Sequence, residues 1–186
     1  MDPIGHVLVA YLVWTGYSHL RYRRSPTTPE VWLVGVGSQL PDIVDKPLAW
    51  WLGVLPSGRS LGHSLLTAAV LVLVLRRVVP SERRSLVAPL AVSLVGHDLV
   101  DAIAPISRGE FGYLAYLLWP IVDLPAYDPP PPLLSAIGES LLRGISGPDV
   151  LVIAAVVVVW IADGYPGLPR RRTAESDRAD RTRRPE

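Results

Sequence analysis

The stretch "SLVGHDLVDAIAP" (Ser93–Pro105) decides how this chain is read. It belongs to an apolar run from Ser85 to Ile106, yet His97, Asp98 and Asp101 interrupt its centre. At 3.6 residues per turn, His97 and Asp101 share a helix face, and Asp98 points about 100° away. Burying charge without a partner is costly. The pair therefore either ligates a metal from adjacent turns or holds Asp101 as the acceptor that orients His97.

The segments on either side read as helices too. Asp2 can cap a helix from Met1 to Leu20 with Pro3 in its first turn, and no charge interrupts Pro3–Leu20. Val31–Pro41 is a short apolar segment that runs into "QLPDIVDK", and Leu48–Leu55 carries two tryptophans. Ser64 is a plausible cap for "SLLTAAVLVLVL", which "RRVVPSERR" stops. "FGYLAYLLWPIVDL" (Phe111–Leu124) is broken by Pro120, Pro129–Pro132 reads as a rigid loop, and Val150–Ala162 is a last apolar helix. Nothing alternates with the period of a strand. The expectation is an all-α fold over residues 1–166, followed by a disordered charged tail, 167–186.

Composition narrows the class. Hydrophobic residues make up 49% of 186 and the mean hydropathy is +0.32, high for a soluble domain once the charged tail is set aside. Net charge is +1, so no nucleic-acid partner is expected. There is no cysteine, which excludes disulfides and thiolate metal sites. No secretory leader is expected from the Met-Asp-Pro start.

The arginines favour a bilayer. Clusters at Arg21/Arg23/Arg24, at Arg76/Arg77/Arg83/Arg84 and at Arg170–Arg172 occupy alternate connections. Acidic residues, among them Asp42, Asp45, Glu110, Asp123, Asp128, Glu139 and Asp149, occupy the others. That is the positive-inside pattern of a multi-pass membrane bundle, provided Phe111–Leu124 dips in without crossing. With the basic loops and tail cytoplasmic, His6, Asp42/Asp45, His63 and His97/Asp101 all fall toward the extracytoplasmic face at similar depth. Ionisable groups in membrane helices are costly and point to function, and their joint placement indicates a metal site. His19 falls beside the basic loop at the opposite side and is left out.

Five motifs in order resemble those of the YdjM-type family: "GH" (Gly5–His6), "LPDIVD" (Leu40–Asp45), "GRSLGHSLL" (Gly58–Leu66), "GHDLVD" (Gly96–Asp101) and "LLWP" (Leu117–Pro120). The resemblance covers about residues 4–124. Members of that family are described as membrane-bound, metal-dependent hydrolases related to the helical zinc-dependent phospholipase C and nuclease superfamily. The resemblance implies His6, Asp42, His63, His97 and Asp101 as metal positions. The chain departs from the family pattern twice. The two aspartates of "DIVD" stand one residue further apart than usual, and Gly58–Gly62 lacks a histidine and a threonine.

Such donors suit zinc, and also manganese or iron. The expected chemistry is hydrolysis of a phosphate ester, a membrane lipid headgroup or a lipid-linked phosphate, by metal-activated water. Asp98 or Asp45 would be the proton acceptor and Arg59 a contact for phosphate. The alternative is a non-catalytic membrane protein whose His/Asp cluster binds a structural metal or forms a polar network.

Overall fold

The computed structural model describes residues 3–127 and 147–168. Among the described residues there are six α-helices: α1 (Pro3–Tyr22), α2 (Thr28–Gly37), α3 (Leu40–Lys46), α4 (Leu65–Val78), α5 (Val87–Ser107) and α6 (Gly147–Ala162). A π-helical turn (Pro47–Trp51) extends α3, and 3-10 turns at Ser81–Leu86 and Phe111–Leu118 flank α5. No strand occurs among the described residues, so the all-α expectation holds. The proline run 129–132, the cap Asp2 and the tail from 169 lie outside the described residues.

Local chemistry sets the ends of these helices. The Ser64 hydroxyl accepts from the Leu66 and Thr67 amides, at 3.2 and 3.5 Å, and starts α4. Thr27 and Glu30 form a capping box on α2, where Pro29 sits in the first turn. Between α2 and α3 the chain breaks at Ser38 and Gln39, where Pro41 begins a new helix. The segment after Glu110 turns at once into 3-10 helix rather than entering an α-helix. At ~2.0 Å per residue it advances only about 16 Å, too short to cross a bilayer.

The helix α5 is central and packs against α1, α2 and α4. Gly37 allows α2 to close on it. A Cβ at Gly37 would collide with the Ser93 hydroxyl and lie 3.2 Å from the Leu90 carbonyl. Small residues at such a crossing let helix backbones approach closely.

The distribution of polarity is inverted relative to a water-soluble domain. Buried side chains include His6, Glu30, Asp45, His63, His97, Asp98, Asp101 and Asp163, whereas the buried apolar residues are few and mostly small, with one packed cluster formed by Ala10, Tyr11, Trp14 and Val34. Val95, Leu99, Ile103 and Ile106 form an exposed stripe along α5, and Val70, Leu73, Val74 and Val78 form another along α4. Apolar surface of this extent marks a surface that something apolar covers. Among the described residues, the helical stretch Ser81–Ser107 is the one long and apolar enough to cross a membrane by itself; the apolar part of α6, Val150–Ala162, is shorter.

A polar knot fastens α6 to α1. Buried Asp163, just past the end of α6, accepts hydrogen bonds from the Tyr11 and Thr15 hydroxyls at 3.0 and 3.1 Å and from the His19 Nε2 at 2.7 Å. Burial alone would raise its pKa, but hydrogen bonds from His19, Ser25, Tyr11 and Thr15 outweigh that and lower it. A carboxyl whose folded pKa is lowered stabilises the fold above its unfolded value and loses that contribution as pH falls through the folded value. Asp163→Ala is expected to cost about 2 kcal/mol in detergent-solubilised unfolding, since two buried hydroxyls lose their acceptor. The difference from wild type should persist down to the ordinary aspartate value of 3.8 and vanish only below it.

Candidate metal centre

The residues of the centre come from three helices and one loop. His6 lies in the first turns of α1, Asp42 and Asp45 on α3, His63 at the end of the loop that precedes α4, and His97, Asp98 and Asp101 on α5. All but Asp42 are buried. The structure therefore brings together seven residues singled out from the sequence, spread over nearly a hundred positions. Their roles in the geometry differ.

The orientation of His97 follows from the break between α2 and α3. A carbonyl at a helix end has no partner within the helix, and that of Ser38 takes a hydrogen bond from His97 Nδ1 at 2.7 Å. A carbonyl can only accept, so this nitrogen carries the hydrogen and Nε2 carries a lone pair in the neutral ring.

His63 is held by Asp45 in the same way. Asp45 Oδ2 accepts from His63 Nδ1 at 2.9 Å and from the Ser60 amide at 2.7 Å, and Oδ1 accepts from the Gly62 amide at 2.7 Å. The His63 amide adds a longer contact at 3.3 Å. The wide Asp42–Asp45 spacing thus acquires a geometric sense. Three residues apart on α3, Asp42 reaches toward His63 Nε2 at 3.4 Å while Asp45 stands behind the same ring. Gly62 has to be small for this, because a Cβ there would lie 2.8 Å from the Pro41 Cα and carbonyl and 3.2 Å from Asp45 Oδ1.

With both Nδ1 atoms donating, the two Nε2 atoms face each other across 3.2 Å. Two lone pairs at that distance repel, so a positive centre must lie between them: a proton or a metal ion. Burial disfavours charge on His63, but Asp42 and Asp45 outweigh it and raise its pKa to about 9. Without metal, a proton therefore fills the role. A divalent ion fits the same place. Two nitrogens bound tetrahedrally at ~2.0–2.1 Å stand about 3.3 Å apart.

Two overlapping donor sets meet there: Asp42, His63 and His97, and His6, His97 and Asp101, each with its ligand atoms within 4.8 Å of one another. His6 Nε2 lies 3.1 Å from Asp101 Oδ1, and its ring stacks on His97 with centroids 4.1 Å apart. Arg59 Nη2 meets Asp101 Oδ2 at 2.9 Å, and the Lys46 ammonium meets Asp42 Oδ2 at 2.6 Å. Both carboxylate oxygens of Asp98 are buried without a hydrogen-bond partner among the described residues.

Three supporting groups escaped the sequence reading. Tyr116 is fully buried, donates to the Asp98 carbonyl at 2.9 Å and lies under the Arg59 guanidinium. Ser64, besides capping α4, donates to the Trp119 carbonyl at 2.6 Å and so ties the "LLWP" segment to the centre. Ser38 contributes only backbone, which no side-chain pattern reveals. His19 stands apart, in the Asp163 knot.

Gly62→Ala is expected to destabilise the protein by about 1–3 kcal/mol through overpacking against Pro41. A control at Gly96, where an added Cβ meets nothing within 4 Å, should lower the melting temperature far less.

Searches against curated proteins and against solved structures find no match. A family model, the YdjM inner membrane protein family, matches residues 1–165, which include every residue of the centre. With an apolar exterior, a buried His/Asp cluster and a match over most of its length, the chain belongs to the YdjM inner membrane protein family.

Proposed function

We propose that this chain is a multi-pass membrane protein that hydrolyses phosphate esters, such as lipid headgroups, with a divalent metal ion, zinc in the first instance and manganese or iron as alternatives. The observation that carries the metal reading is the 3.2 Å approach of the His63 and His97 Nε2 atoms while each Nδ1 is committed elsewhere. Family membership supports the membrane, and the apolar stripes on α4 and α5 support lipid contact along both helices. The arginine-rich connections would face the cytoplasm and the His/Asp centre the opposite side.

His63, His97 and Asp42 would hold the ion, joined by His6 and Asp101. A divalent ion supplies Lewis acidity: it lowers the pKa of water from 15.7 to about 7 and polarises a phosphoryl oxygen. The remaining work falls to the chain. Asp45, engaged by the Ser60 and Gly62 amides and by His63 Nδ1, would position His63 rather than accept a proton. Asp98, whose oxygens have no such commitment, would accept the proton of the attacking water. Arg59 is 35% exposed on its side chain and anchored at one end by Asp101, so it can present the rest of its fork to a substrate phosphate.

One observation favours a second reading. Asp101 is satisfied by His6 and Arg59 without any ion, as expected of a closed polar network that joins helices. Elemental mass spectrometry of the purified protein separates the two. The hydrolase reading expects a transition metal in wild type that is lost in His63→Ala and His97→Ala. Metal-free, well-folded wild type that takes up none of zinc, manganese or iron on reconstitution would leave the network reading.

Two further variants test the roles. Asp98→Asn should keep its metal yet lose roughly 10²–10⁴-fold in turnover of a phosphodiester. Asp45→Asn should weaken metal affinity about 10–100-fold, as loss of an orienting carboxylate does. Equal turnover by Asp98→Asn and wild type would remove Asp98 from the mechanism.

A further inference from the structure

At the end of the bundle opposite the His/Asp centre, α1, α4 and the start of α5 enclose a cleft of about 470 Å³. Its rim carries Arg76, Arg84, Tyr17 and Tyr22, and its inner wall includes Val72 and Val92. The arrangement is graded. Val72 lies one helical turn inside Arg76, and Val92 lies two turns inside Arg84, so the cleft becomes apolar toward the middle of the bundle. The rim is remote from the metal centre: eleven residues of α1 separate His6 from Tyr17, about 16 Å along the axis.

The charge at this rim is uncompensated. Arg24 is neutralised by Glu30 through two contacts of 2.9 and 2.6 Å. Among the described residues, neither Arg76 nor Arg84 has a carboxylate within ion-pair distance, and Arg84 only donates from Nε to the Val79 carbonyl at 3.2 Å. Two unpaired guanidiniums at the mouth of an apolar cleft match an anion that continues into hydrocarbon. A free anion would have no use for the inner wall, and a neutral lipid none for the arginines.

We propose that this cleft binds an anionic phospholipid of the leaflet that contacts the basic end, with the headgroup phosphate held by Arg76 and Arg84 and the upper part of an acyl chain laid against Val72 and Val92. Guanidinium groups grip phosphate through paired N–H donors. The tyrosine hydroxyls at the rim can donate to glycerol or ester oxygens. The cleft volume falls within the range of small-molecule sites, roughly 300–1,000 Å³. The site is distinct from the proposed hydrolytic centre and does not depend on it.

Native mass spectrometry of the detergent-solubilised full chain, offered equal amounts of phosphatidylglycerol and phosphatidylcholine, tests this directly. Phosphatidylglycerol should be retained and phosphatidylcholine lost. Exchanging Arg76→Gln with Arg84→Gln should weaken retention about 30-fold, roughly fivefold for each arginine. Arg77→Gln with Arg83→Gln, in the same connection but outside the cleft, should stay within about twofold of wild type. Circular dichroism and metal content of each variant should not change.

Three results would each overturn the proposal. One is equal retention of the two lipids by wild type, which needs no variant to interpret. Another is an equal loss in the Arg77/Arg83 pair, which would reduce the effect to general basicity. The third is displacement of phosphatidylglycerol by glycerol phosphate at matched concentration, which would make the cleft a site for a free anion.

Discussion

Asp45 is the fixed point of the molecule. One carboxylate gathers the Ser60 and Gly62 amides and the His63 ring, and so folds the loop after the tryptophan turn around the end of α3. Those hydrogen bonds replace the hydration that the buried carboxylate gives up. The loop in turn delivers His63 against His97, and the start of α4 follows immediately at Ser64. Without that anchor, α3 and α4 would share no fixed relation, and the two imidazoles would have no reason to meet.

Around this point the structure reconciles two opposed demands. Helices that carry apolar stripes on the outside must enclose three histidines and several aspartates inside. Backbone carbonyls released at the α2–α3 break, small residues at helix crossings and the aromatic wall of Tyr116 make this possible. Among the described residues of the centre, the side chains of His63 and His97 are each oriented by another group, whereas both Asp98 oxygens lack a hydrogen-bond partner.

Much of this was legible in the sequence. The four-residue spacing of His97 and Asp101 places them on one face whatever the fold, and Ser64 before an apolar run identifies its helix start without tertiary information. Other features depend on the third dimension. Nothing in the spacing of Asp42 and Asp45 tells which faces His63 Nε2 and which stands behind the ring, since that depends on where the loop of residues 58–63 returns. Backbone groups such as the Ser38 carbonyl carry no residue signature. The partnership of His19 with Asp163 bridges 144 positions, and only the packing of α6 on α1 creates it.

The order of the chain also matters for its assembly. Helix α5 carries three acidic or titratable groups into an apolar environment, yet the groups that engage their side chains (His6, Ser38, Arg59 and His63) all precede it in sequence. As the polypeptide is made from its N-terminus, the polar half of each of those contacts has already left the ribosome when α5 emerges. The polar groups of α5 are therefore synthesised into company. The Tyr116 segment, whose hydroxyl donates to the Asp98 carbonyl, comes after it.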